Sequence, residues 1–208
     1  MQLKILSRKT LLIIALVSLS FSLLSIFYFS FKDLIYIKEP SISKTTVTSD
    51  EGANLNFGLP VRLKIPKINV DTSLESIGLT SEGAIGTPER QEDAAWFNLG
   101  PRPGEIGTAI ITGHYGYWLN GKGSVFDNLY RLRKGDLLYV EDDKGQTISF
   151  VIRKLQRYDA TANATEVFVS SDDEPHLNLI TCEGAWNNLS NNYSLRLVIF
   201  ADINYLTE

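Results

Sequence analysis

Cysteine is all but missing from these 208 residues: Cys182 stands alone, so no intrachain disulfide can form. Histidine is nearly as scarce, and His114 and His176 are the two imidazoles able to move protons near neutral pH. Basic charge is also short, with 20 Lys and Arg against 24 Asp and Glu. Residues 1–31 hold three of those cations and none of the acids, which leaves the rest more acidic than the net −4 of the whole chain. Affinity for polyphosphates rests on clustered Lys and Arg, so nucleic acid and anionic lipid surfaces are excluded as partners. No internal repeat is present. Long apolar runs are absent too, with one exception.

That exception is Thr10 to Phe31, which contains no charged residue and is bracketed by Lys9 and Lys32. As a helix rising 1.5 Å per residue it would reach roughly 33 Å, enough for a hydrocarbon core of about 30 Å. No small-x-small cleavage site follows at Phe31-Lys32-Asp33, so an uncleaved transmembrane signal anchor is expected. Lys4, Arg8 and Lys9 precede the span, which places residues 1–9 as a short cytoplasmic tail and the body of the chain outside the cell. A lone thiol in that compartment, where disulfides usually persist, calls for an explanation.

Residues 32–58 read as a linker, with Ser41-Ile42-Ser43-Lys44-Thr45-Thr46 showing no apolar periodicity. From Leu59 to residue 208 the texture changes to short β-branched and aromatic runs broken by Gly, Pro, Asn and Asp, which predicts an all-β domain. Strands are expected over Val61–Val70, Thr108–Thr112, Asp136–Glu141, Gln146–Tyr158, Glu166–Val169, Leu177–Cys182 and Tyr193–Ala201. Ala94–Phe97 and Ser124–Tyr130 are expected as single helical turns, the former in the core. Leu195, Leu197 and Ile199 alternate with Ser194, Arg196 and Val198, so one face packs and the other works. The architecture expected is a closed or nearly closed β-barrel.

His114 follows a predicted strand within Thr-Gly-His-Tyr-Gly, Cys182 ends another, and Arg196 sits inside a third. Loops leaving a rigid sheet are where active sites gather. Two residues fourteen apart that face each other in a hairpin need a turn centred on residue 189. Leu189 is flanked by Asn187-Asn188 and Ser190-Asn191-Asn192, a strong turn composition. Such a hairpin sets Cys182 beside Arg196; whether both point to one face depends on register. In acyl transfer the thiolate attacks, a histidine moves protons, and an arginine, which does not titrate, stabilises the oxyanion. Papain-like enzymes place Cys before His and L,D-transpeptidases use a tighter His-Gly-Cys context, so neither order fits.

Thr112-Gly113-His114, Leu179-Ile180-Thr181-Cys182 and Leu195-Arg196-Leu197 resemble the three sequence blocks of the sortase family, in the same order. The similarity extends from Leu63-Lys64-Ile65-Pro66 through Pro103 to Thr108, Phe126, Leu129 and Lys134-Gly135-Asp136, so about residues 60–203 are covered. The resemblance implies an eight-stranded barrel that cleaves an LPxTG-like sorting signal between Thr and Gly through a thioester. The acyl group then passes to an amine such as a cell-wall precursor or a pilin lysine. It implies Cys182 as nucleophile, His114 as acid/base and Arg196 as the oxyanion-side cation, on the outer face of a Gram-positive cell, with no cofactor.

Tyr115, Trp118, Thr181 and Trp186 are candidate substrate contacts, although the aromatic residues after His114 fit a barrel cap equally well. His176, some 20 Å from Cys182 along a strand, reads as a surface residue at a strand start. Asp142-Asp143 and Asp172-Asp173-Glu174 lack calcium-ligand spacing and read as solvated turns, so no metal site is expected. Two other functions stay open: a cysteine hydrolase on the same barrel, and a non-catalytic surface-binding module in which Cys182 is replaceable.

Overall fold

The structure, a computed structural model, describes residues 56–117 and 121–205. The predicted anchor, its tail, nearly all of the linker and Trp118 lie outside the described residues. Among the described residues no helix is long and apolar enough to cross a membrane.

Eight strands close into a barrel: β1 (Pro60–Ile65), β2 (Val70–Ile77), β3 (Ala94–Phe97), β4 (Gly107–Gly113), β5 (Leu137–Asp142), β6 (Thr147–Asp159), β7 (Pro175–Asn187) and β8 (Asn192–Ile203). Their order around the barrel is β1-β2-β3-β4-β7-β8-β6-β5, with β5 returning to β1. β2–β3 and β4–β7 are parallel and the other pairs antiparallel. Every strand contributes to one apolar interior, for example Leu63, Leu74, Trp96, Ile111, Val140, Phe150, Leu179 and Ile199. Burying each large side chain of this kind contributes about 1.5–3 kcal/mol, so the barrel body carries most of the stability.

Three predicted elements differ. Val61–Val70 is not one strand, because Pro66 lacks an N–H for the ladder; the chain makes a 3-10 turn over Pro66–Ile68, passes through left-handed Asn69 and returns as β2. Ala94–Phe97 is strand β3 rather than a helical turn, held between β2 and β4, although its place in the core is as expected. Glu166–Val169 is not a strand: Thr165–Val167 forms a 3-10 turn that presses Val167 onto the barrel. Within Ser124–Tyr130 only the end turns helically, at Leu129–Arg131.

Asp143 and Asp172-Asp173-Glu174 are exposed as expected, whereas His176 and Asp142 are buried. His176 is 5% exposed, with Nδ1 at 2.8 Å from Asp202 and Nε2 at 2.8 Å from Asp172. Asp142 is 4% exposed and accepts from the N–H groups of Gly58, Lys144 and Gln146, closing the β5–β6 turn onto the chain's entry. Phe57 packs in the core, so the folded body starts two residues before the expected boundary at 59.

A second apolar cluster lies on the outside of β4, β7 and β8, built from Ile110, Val198 and Phe200, with Ile180 beside them. Two connections cover it. The β2–β3 connection (78–93) contributes Ile85, and the β6–β7 connection (160–174) contributes Ala164 and Val167. This outer face carries the candidate site.

Candidate active site

Strand β7 alternates cleanly. Leu177 and Leu179 point into the barrel, Ile180 joins the outer cluster, and Cys182 follows two residues further along that outer row. Cys182 is directly opposite Arg196 on β8. Directly paired residues share a face, so Cys182 and Arg196 both project from the outside of the barrel as cross-strand neighbours.

The hairpin joining them turns over residues 188–191, where the sequence placed it. Asn187 Oδ1 accepts from the N–H groups of Leu189 (2.8 Å) and Ser190 (3.3 Å), and Asn191 supplies a left-handed φ of 47°. One feature was not legible. Register shifts between Glu183 and Trp186, so that Gly184 and Ala185 on β7 oppose Ser194 alone. Gly184 adopts φ 87°, and a Cβ there would stand 2.4 Å from Ser194 Oγ. The extra residue turns Trp186 out of the Cys182 row and pairs it with Tyr193.

His114 is brought in from β4. The parallel β4–β7 ladder ends at Thr112 opposite Ile180, and two residues beyond that pair stand His114 and Cys182. Thr181 Oγ donates to Gly113 O at 2.8 Å, tying together the residues that precede each of them. Gly113 has to be glycine, because a Cβ would meet the buried Phe126 ring at 2.5 Å. The loop after His114 is closed by Phe126 N–H to His114 O (3.1 Å) and by Asp127, which accepts from Gly116 N–H at 2.6 Å and Ser124 N–H at 2.9 Å. The imidazole itself is oriented by the β2–β3 connection: Nε2 lies 2.8 Å from Pro88 O. A carbonyl only accepts, so Nε2 is the donor in this contact.

Burial pushes the half-buried Cys182 thiol above its ordinary range, and Arg196 opposes that shift. Arg196 donates from Nη1 to Leu195 O (3.0 Å) and Tyr193 O (3.2 Å), and from Nη2 to Asn192 Oδ1 (2.8 Å).

The candidate substrate contacts are placed unequally. Thr181 is 3% exposed with its hydroxyl committed to Gly113, so its side chain serves the scaffold. Tyr115 meets Tyr193 edge to face at 5.3 Å, and Trp186 meets the same ring at 5.1 Å. Together they bridge the β4–β5 connection and the hairpin. Tyr193, Pro88 and Asn192 were missed, since none belongs to a recognisable spacing and Pro88 acts through its backbone. Among the described residues no group of three or more His, Cys, Asp or Glu is placed to hold a metal ion.

A family model, the Sortase domain, matches residues 63–204. The chain belongs to the sortase family. Among solved structures it is similar to sortase C-1 from Actinomyces oris at 25% identity and TM-score 0.55, covering 71% of this chain and 76% of that one. Sortase C1 from Streptococcus agalactiae, solved as a complex with MTSET, matches at 23% identity and TM-score 0.55 over 72% and 71%. A lid mutant of sortase A from Corynebacterium diphtheriae matches at 22% and TM-score 0.56 over 74% of each chain. At those lower identities the likeness speaks for the fold. No curated protein matched the sequence.

Proposed function

We propose that this sortase is a membrane-anchored cysteine transpeptidase that cleaves an LPxTG-like sorting signal and passes the acyl group to an amine at the cell surface. The observation that carries this is the pairing of Cys182 with Arg196 on one outer face, beside the strand end that bears His114.

The chemistry runs in two halves. His114 takes the Cys182 proton, and Sγ attacks the threonine carbonyl carbon of the signal. The oxyanion that forms faces the Arg196 guanidinium, whose positive charge stabilises it. Collapse breaks the Thr–Gly C–N bond, His114 returns the proton to the departing glycine amine, and a thioester remains on Cys182. An incoming amine, from a cell-wall precursor or a pilin lysine, then attacks the thioester and gives its proton to His114. A new amide leaves and the thiol is restored. Water in place of the amine would give hydrolysis.

This reading places residues 10–31 in the membrane with the N-terminus cytoplasmic and the barrel outside. The test incubates the chain with a library of LPxTG-like peptides, with and without amine acceptors, while mass spectrometry follows Cys182. Acyl-enzyme at Cys182 and ligated product with an amine are expected. No labelling by any peptide, together with full cellular function of Cys182→Ala, would overturn the catalytic reading.

A further inference from the structure

Arg196 is held by acceptors of its own strand. Residues 192, 194 and 196 share the outer face of β8, and Arg196 reaches toward the hairpin end, where it donates to Tyr193 O, Leu195 O and Asn192 Oδ1. Two of these acceptors are backbone. Asn192 supplies the one side chain of the set. The register shift adds its extra residue to β7 and leaves β8 regular, so the alternation that keeps Asn192 and Arg196 on one face is undisturbed.

Asparagine at a hairpin end is ordinarily a turn residue. Here the turn is served by others: Asn187 Oδ1 accepts from Leu189 and Ser190, and Asn191 takes the left-handed conformation. The Asn192 side chain is spent on Arg196, a charge-assisted bond of 2.8 Å. We propose that Asn192 is a positioning residue which fixes the Arg196 guanidinium on the face it shares with Cys182, and so sets the charge presented both to the thiol and to the oxyanion. This rests on the transpeptidase reading for the second effect only. The first concerns the resting protein.

Arg196 draws the Cys182 thiol down against the upward push of burial, so a loosened Arg196 lets the thiol rise further. The test uses the full-length chain in detergent micelles, with iodoacetamide alkylation of Cys182 followed across pH. Asn192→Ala is expected to move the midpoint of that profile upward by about half a unit or more, as weakening one nearby charge does. Asn192→Leu, which keeps the bulk and removes the acceptor, is expected to do the same and serves if the alanine variant folds poorly. In an Arg196→Ala background neither change should move the midpoint, because Asn192 acts through Arg196. Asn187→Ala, which weakens the turn alone, should leave it in place. With an LPxTG-like peptide, Asn192→Ala is expected to lower kcat about tenfold, with KM changing less than about twofold. An unmoved midpoint in both Asn192 variants, or an equal shift in the Arg196→Ala background, overturns the proposal. Peptide inactivity of the wild type with a shifted midpoint would count against the transpeptidase reading and leave the positioning role standing.

Discussion

The hydroxyl of Thr181 donates to the carbonyl of Gly113 at 2.8 Å, inside the barrel wall and one residue short of both Cys182 and His114. The bond sits one residue past the last pair of the β4–β7 ladder, Thr112 opposite Ile180. Thr181→Val keeps the shape and removes the donor. The expected cost is about 1–3 kcal/mol, since a buried acceptor loses a partner. Urea unfolding measures it, and Thr181→Ser should recover most of the loss. Acyl-enzyme formation should fall in Thr181→Val even at temperatures where the variant is folded. Unchanged kinetics would mean that the tie stabilises the barrel without registering His114 against Cys182.

The raised thiol makes a second prediction, on pH. Because burial holds the native Cys182 above the value it has unfolded, the folded state binds that proton more tightly. The associated stability is present below an ordinary thiol pKa of about 8.5 and is lost as pH rises through the native value. Alkylation should therefore keep climbing with pH beyond the point at which an unfolded control has levelled off. Arg196→Ala should push the profile higher still, because its charge is what opposes burial. A profile at or below that of the unfolded control would show that the thiol is activated at rest.

The sequence made the site legible in proportion to how far each residue's role is carried by its own side chain. Cys182 and Arg196 could be set across one hairpin because Asn187 to Asn192 is dense in turn formers, while the register that puts both on one face comes only from the strand pairing. Strand β3 was missed because four residues, Ala94-Ala95-Trp96-Phe97, are too few to show a period; the neighbours β2 and β4 make it a strand. The burial of His176 has no sequence signal, because a histidine before an apolar run says nothing of Asp172 and Asp202 bonding to both its ring nitrogens. Pro88 was invisible for a different reason. It orients His114 with a backbone carbonyl, which every residue has, and only the path of the β2–β3 connection brings that carbonyl to the ring.

The bulge opposite Ser194 carries a third prediction. Gly184 combines φ 87° with the close approach to Ser194 Oγ, so alanine there meets both a disfavoured backbone and a collision. Gly184→Ala should destabilise the protein by about 1–3 kcal/mol, the range for backbone strain at a single residue. Adding Ser194→Ala removes the Oγ collision but leaves the φ penalty and takes the acceptor from Ala185 N–H, so only partial recovery of the melting temperature is expected. Full recovery would show that the left-handed conformation costs nothing at this position.

Arg196→Lys separates charge from geometry. Arginine presents five N–H donors in a planar fork, and here it engages Tyr193 O, Leu195 O and Asn192 Oδ1 while lying across from Cys182. A lysine ammonium keeps the positive charge but, as a compact group on a flexible stem, cannot span the same acceptors and hold a fixed orientation toward an oxyanion. Loss of one preorganised donor at a tetrahedral intermediate typically costs about 10²–10³ in rate, so acyl-enzyme formation should fall by that order. The side chain is half-buried on the outer face rather than in the core, so the melting temperature should change little. Stopped assays of thioester formation and a thermal melt on the same preparation decide the matter. A rate loss matched by an equal loss of stability would make Arg196 a strut of the hairpin, whereas a rate loss alone leaves its planar donors as the feature the reaction uses.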